Sequence, residues 1–374
     1  MISKSRGTLL LVGVAAVAAL YAYSDLPRSS ATFLQLQSSS EIEVAFLQFL
    51  AKYGKSYASK AEHSERFETF MKTYNMVQSH NSKQGVTSKL AINKFADMRM
   101  EEVTGGAKGL VEEFNKIDKI QINTLKNITN VNVTDLVDWT HSDKVGPVYD
   151  QGACQACWAF SAATTMGSAI SIINGESFDK NMVSVQYLVD CNTYNAGCAR
   201  GSMWNAYRWI MRKGYVNWHE YDTEYLGLQR PCKMPPADRL KKVPNLLPLI
   251  FPPLNIMNMM ILVTMQPVAV AIHTPDCFRS YSGGVLREED CDCSNNNYFG
   301  NEVEQSAVIV GYAVEPGTLG CQGYWIVKNS WGEQWGENGY VRLCIPAFED
   351  DLPLGMCNIQ AYPQIPYNGI FQFE

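Results

Sequence analysis

The sequence predicts an α+β chain of two lobes, one helical and one strand-rich, with a separate helical segment ahead of them. Three observations point there. Cysteine is confined to the back of the chain, where all 11 lie between Cys154 and Cys357. Ala156–Ile173 reads as one buried helix, rich in Ala and apolar on most sides. After about Leu246 the chain turns to short apolar or alternating runs bounded by Gly, Pro and Asn: Pro267–Ile272, Ser306–Tyr312, Tyr324–Lys328 and Gly339–Leu343. Two lobes of this kind leave a cleft between them as the expected site.

The 374 residues suffice for two domains and a processed leader. With 46% hydrophobic and 18% charged residues, the composition is that of globular protein. The formal net charge of −6 argues against a nucleic-acid partner, which usually meets a basic face. An odd cysteine count leaves at least one thiol unpaired if the others form disulfides. Disulfides in turn imply an oxidising compartment.

Lys4 and Arg6 precede a mostly apolar run, Leu9–Tyr23. That run is short for a membrane span, which needs roughly 20 residues, and suits a signal-peptide core. Residues 1–24 are therefore a signal peptide or a signal anchor, and membrane contact is expected only through them if they are kept. Residues 25–40 read as a polar, Ser-rich spacer. Leu246–Val270 is also apolar, but Pro248, Pro252 and Pro253 with several amides argue against a membrane helix. From Glu41 to His80 the pattern is helical, broken at Tyr53-Gly54-Lys55. Its second stripe uses Phe67, Phe70, Met71, Tyr74 and Val77. Leu90–Asp97 alternates more like a strand, and 104–131 reads as a linker. Asn127-Ile-Thr129 and Asn132-Val-Thr134 are glycosylation acceptor patterns that fit an exposed linker of a secretory protein.

Gln151-Gly-Ala-Cys-Gln-Ala-Cys-Trp-Ala-Phe-Ser161 is the densest chemical signal. It places Cys157 at the start of a helix, where free amides and partial positive charge stabilise a thiolate. A neighbouring backbone amide and the Gln151 amide are candidate donors to a developing oxyanion. The alternative is a buried, inert cysteine.

This strip closely resembles the active-site segment of papain and the cathepsins. The resemblance implies a papain-like two-lobe fold, a helical lobe plus a β-barrel-like lobe, over about Val137–Tyr362. By position Cys157 matches the nucleophile and Gln151 the oxyanion-hole glutamine. Asn329-Ser-Trp-Gly332 matches the motif whose asparagine orients a histidine and whose Trp331 shields that contact. The front of the chain is similar too. Glu62-x3-Arg66-x3-Phe70-x2-Thr73-x3-Val77-x3-Asn81 resembles the family's inhibitory propeptide signature, with Thr73 for one asparagine. Ala91-x-Asn93-x-Phe95-x-Asp97 resembles a second propeptide motif, with Ala91 for its leading glycine. Residues 41–103 then look like a propeptide domain lying across the cleft, and 132–374 like the peptidase domain. The resemblance also implies disulfides Cys154–Cys198 and Cys191–Cys232. It pairs Cys357 with Cys291 or Cys293, Cys293 being preferred, and leaves Cys277, Cys321, Cys344 and the spare member for two further bridges.

The resemblance breaks at its histidine. Counting back seven residues from Tyr312 along the apolar run lands on Gln305, preceded by Glu304. None of the five histidines, His63, His80, His141, His219 and His273, fits that register. An imidazole holds the thiolate as an ion pair and protonates the leaving amine. A glutamine amide does neither. A free cysteine with a pKa of about 8.5 is roughly 3% thiolate at pH 7. Losing one member of such a unit costs on the order of 10³–10⁶ in rate. His273, just after Pro267–Ile272, is either a substitute near the centre or a surface residue at a strand end.

A second departure is Cys198-Ala-Arg-Gly201, where the family has a glycine turn that pins an extended substrate. Arg200 brings a long cation there, and Gly201 keeps its backbone. By position Ala271, Ser306 and Tyr362 line the pocket for the substrate's second residue. The sequence thus predicts an impaired or inactive papain-like protein that binds peptide or protein, in a secretory or lysosome-like compartment or outside the cell. A working endopeptidase with a compensated mechanism and a prosegment acting as inhibitor are the rivals. No cofactor or metal is expected, since the histidines show no ligand spacing beside the cysteines.

Overall fold

Helix α1, Ser30–Tyr53, ends at Gly54, whose φ of +62° is a left-handed turn that glycine takes without strain. The computed structural model describes residues 30–107, 131–222, 224–243, 245–293, 303–315, 320–348 and 352–367, with side chains described from Glu41 onward. Residues 1–24, and with them the leader or anchor reading, lie outside the described residues. Residues 30–40, read as spacer, are helical instead. Ala31, Leu34, Leu36 and the glutamines of that stretch are compatible with helix, and extending an existing helix costs far less than starting one. Among the described residues no helix is long and apolar enough to cross a membrane.

The chain divides into two compact units, Met1–Ala58 and Ser59–Glu374. In the first, Phe46 stacks on Phe49 and on Tyr57, with ring centroids 6.1 and 6.3 Å apart. The second begins with helix α2, Lys60–Ser82, capped by the Ser59 hydroxyl, which accepts from Glu62 N. Its buried face is Phe70, Thr73, Val77 and His80. That face differs from the expected stripe, because polar Thr73 and His80 go inside while Met71 and Tyr74 are only half-buried. Both polar groups have partners: Thr73 Oγ1 accepts from Arg279 Nη2 at 3.0 Å, and His80 Nε2 meets Ser88 Oγ at 3.2 Å.

Strand β1 covers only Ser88–Leu90. The strand expected over Leu90–Asp97 is replaced by a turn, because Asn93 Oδ1 accepts from Phe95 N and Asn93 O from Ala96 N. The turn presents Phe95 edge-on to Trp331 at 5.5 Å. A short helix α3, Met100–Val103, follows. Glu102 there takes two bonds of 2.7 Å from the Arg66 guanidinium of α2, which hold its carboxyl below the usual range.

The helical lobe is built on α4, Cys157–Asn174, buried from Cys157 through Ser171 and stopped by left-handed Gly175. Helices α5, Val185–Cys191, and α6, Met203–Lys213, pack with it in one core containing Trp158, Tyr187, Tyr207 and Trp209. Disulfides Cys154–Cys198 and Cys191–Cys232 staple this lobe.

The strand lobe uses β3 (Leu247–Ile250), β4 (Val268–Ile272), β5 (Tyr281–Leu286), β6 (Gln305–Val314), β7 (Cys321–Lys328), β8 (Tyr340–Pro346) and β9 (Gln364–Tyr367). The spatial order is β1-β5-β8-β7-β6-β4-β9-β3, and β2, Leu136–Asp138, adds to β6. All pairings are antiparallel except β5 with β8. Helix α7, Ile256–Met265, lies within a region read as strand-like, started by Asn255 Oδ1 accepting from Asn258 N. Cys277–Cys291, Cys293–Cys357 and Cys321–Cys344 close the lobe. Its core holds a tryptophan cluster in which Trp331 meets Trp335 at 5.0 Å and Phe278 at 5.8 Å.

Phe95, β1 and α2 therefore attach the prosegment to this cluster. Truncating Phe95 to Ala removes its buried ring from Trp331 and is expected to cost about 3–5 kcal/mol. Urea unfolding of the full chain, followed by tryptophan fluorescence, checks this by an earlier first transition in the variant.

Candidate active site

Cys157 is the first residue of α4, fully buried, and free, the other ten cysteines being paired. The helix start supplies amides, those of Cys157 and Trp158, that favour a thiolate. Burial outweighs them and pushes the thiol above its ordinary pKa. The expectation of a helix-lowered thiol therefore meets an opposing effect of burial that the strip alone does not reveal. The prosegment covers the sulfur.

Gln305 opens β6, opposite Ile272 of β4, and is fully buried. Its Nε2 donates to Asn329 Oδ1 at 2.8 Å, Ser330 Oγ at 3.3 Å and Gln151 Oε1 at 3.4 Å. Asn329 follows β7, and its Oδ1 also accepts from Ser330 N. Ser330 Oγ donates to Gln151 Oε1 at 2.6 Å. The structure thus brings Gln151, Gln305 and Asn329 into one network, with Ser330 as a member that motif matching missed. Trp331 is buried beside them, 1% exposed. Ser306, next to Gln305 in sequence, is buried.

No imidazole enters this network. His273 Nδ1 lies 3.1 Å from Glu304 Oε2, and Thr274 N donates to the same oxygen. The Glu304 carboxylate thus holds His273, which follows β4. His80 is bonded to Ser88, His141 lies 3.5 Å from Asp138 and His219 3.7 Å from Glu224, and His63 is on the exposed side of α2.

Gly201 N donates to Gly106 O at 2.8 Å, so this backbone holds a segment of the chain itself. Arg200 is exposed. Ala271 and Tyr362 are buried in a small apolar cluster with Val303, Leu354 and Ala361, three members that sequence reasoning did not name. Asn132 is exposed, and Asn127 lies outside the described residues. Among the described residues no group of three or more His, Cys, Asp or Glu is placed to hold a metal ion.

Gln155 and Lys328 were also missed. Gln155 Nε2 donates to the carbonyls of Glu101 and Thr104, tying the strip to the prosegment. Lys328, just before Asn329, is buried with Nζ donating to Pro147 O at 2.7 Å, and burial pushes its pKa down to about 7.

Comparison with known proteins places these features in context. A model described as papain family cysteine protease matches residues 133–367, and one described as cathepsin propeptide inhibitor domain matches 46–103. The senescence-specific cysteine protease SAG39 of Oryza sativa subsp. indica is 31% identical, over 85% of this chain and 88% of that protein. Cathepsin J of Mus musculus is 29% identical, over 87% of this chain and 93% of that protein. The structure of digestive procathepsin L2 from Tenebrio molitor superposes with a TM-score of 0.68 at 28% identity, covering 87% and 99% of the two chains.

Lys328 yields a pH prediction. Its folded pKa of about 7 lies below the ordinary 10.5, so between these values the unfolded chain binds the extra proton. Stability then rises as pH climbs from about 7 toward about 10, and the penalty is complete below 7. Lys328→Met should be more stable than wild type at pH 7 by up to about 4 kcal/mol, a gap that narrows by pH 9.5. Denaturant melts at the two pH values check it.

Proposed function

For a chain that belongs to the papain family of cysteine proteases, with that family's two-lobe α+β fold behind a cathepsin-type propeptide domain, we propose that peptidase activity is strongly impaired or absent and that the cleft binds peptide or protein. The observation that carries this is Gln305 Nε2 bonded to Asn329 Oδ1 in a buried network that contains no imidazole. An amide nitrogen donates and cannot take a proton near neutrality. Cys157 therefore has no base to form its thiolate and no acid to release an amine. Burial, which raises the thiol pKa, works in the same direction.

The rival is a working endopeptidase, and the retained Cys157, Gln151, Asn329 and Trp331 favour it. It would need His273 to leave Glu304 and reach Cys157. Five disulfides support residence in a secretory or lysosome-like compartment or outside the cell. Exposed Asn132 and the neighbouring Asn127 are the glycan acceptors in that setting. The ligands of the cleft are the chain's own prosegment and extended peptides. Ala271, Ser306 and Tyr362 form the pocket wall, and Gly201 supplies the backbone contact with Arg200 at its rim.

Hydrolysis of a short fluorogenic peptide, after limited proteolysis to free the cleft, tests the reading. Wild type should match Cys157→Ala, while Gln305→His should rise above both by on the order of 10³. Turnover by wild type well above Cys157→Ala would sink the proposal.

A further inference from the structure

Val103–Ala107 closes the cleft in a way that depends on two glycines. All five residues are buried, although Thr104–Ala107 form neither helix nor strand. A buried loop needs partners for its backbone. Gly105 N and Ala107 N both donate to Glu304 O, at 3.0 and 3.1 Å. Gly106 O accepts from Gly201 N at 2.8 Å, and Thr104 O accepts from Gln155 Nε2 at 3.2 Å. Gln151 Nε2, the candidate oxyanion donor, reaches Val103 O at 3.5 Å. Glu304 comes from the strand lobe and Gly201 from the loop before α6. The segment is thus held by backbone contacts from both lobes.

A side chain is excluded at Gly106 and disfavoured at Gly105. A Cβ on Gly106 would stand 2.6 Å from Cys157 Sγ and closer still to the Gln155 carbonyl oxygen, a backbone atom that cannot swing aside. A Cβ on Gly105 would stand 2.8 Å from Gln155 Oε1, and the φ of +137° there is strained for any side chain. We infer that the groove beside Cys157 is a di-glycine site. It takes an extended peptide with glycine at two successive positions, and Gly105-Gly106 of the prosegment is its resident ligand. This inference deepens the reading of the cleft as a binding site by naming the class of peptide it admits.

Alkylation of Cys157 by iodoacetamide in the oxidised full chain reads occupancy, because the other ten cysteines are paired. Wild type should label slowly, and Gly106→Ala about tenfold faster, because the added Cβ loosens the docked segment. Gly283→Ala, whose added Cβ meets only Glu337 at ordinary contact, should label like wild type. Gly105→Ala repeats the test should Gly106→Ala fail to fold. In the opened variant, acetyl-Val-Thr-Gly-Gly-Ala-amide should slow labelling again, and acetyl-Val-Thr-Gly-Ala-Ala-amide should not. Equal labelling of wild type and the glycine variants, or equal protection by both peptides, overturns the di-glycine site. Peptide turnover by wild type would instead overturn the impaired-enzyme reading and leave the labelling result standing.

Discussion

The Gln305 side chain carries the functional account. Its Nε2 faces three oxygens, from Asn329, Ser330 and Gln151, at the first position of β6. This amide ties Gln151, ahead of the helix that carries Cys157, to Asn329, which follows β7. Catalysis needs more, a nitrogen that gains and loses a proton. The residue thus preserves the architecture of a peptidase while withholding its proton transfer, and this accounts for an intact network around a site proposed to be silent.

The prosegment makes the second half of the same argument. Phe95 enters the tryptophan cluster, Arg66 clamps Glu102, and the chain then runs under Gly201 and Glu304 over the sulfur. Cys157 is sealed by backbone atoms that approach it more closely than any side chain would allow. A protease in this state waits to be cut free. Under the impairment proposed above, self-cleavage is not available to do it, and the docked form becomes the resting form. The mobile balance then lies between the resident segment and any peptide able to copy its glycines.

Much of the fold was legible because its signals are local and redundant. The buried helix from Cys157 to Asn174 and the strands β4, β6, β7 and β8 follow from hydrophobic pattern, and the propeptide and peptidase motifs reinforce each other in order. The position of Gln305 could be counted because β6 runs from Gln305 to Val314 without insertion. Other features depend on contacts that no pattern displays. Asn93 converts an apparent strand into a turn through its own side chain. Thr73 and His80 go inside because partners from distant residues satisfy them. Helix α7 hid in an apolar run rich in proline at its start. The stretch after Val103 read as linker because its backbone partners, Glu304, Gly201 and Gln155, are far away in sequence. Cys157 shows the same limit: its helix position favours a thiolate, and its burial, invisible in the strip, decides against one.

The most direct test is the ultraviolet absorbance of the Cys157 thiolate as a function of pH in the full chain, with Cys157→Ala as the blank. Without an imidazole partner and with burial raising the thiol, no thiolate should appear at acidic or neutral pH. A thiolate signal already present near pH 5 would mean that a cation stabilises the sulfur, and it would contradict the claim that Gln305 leaves this site without a base.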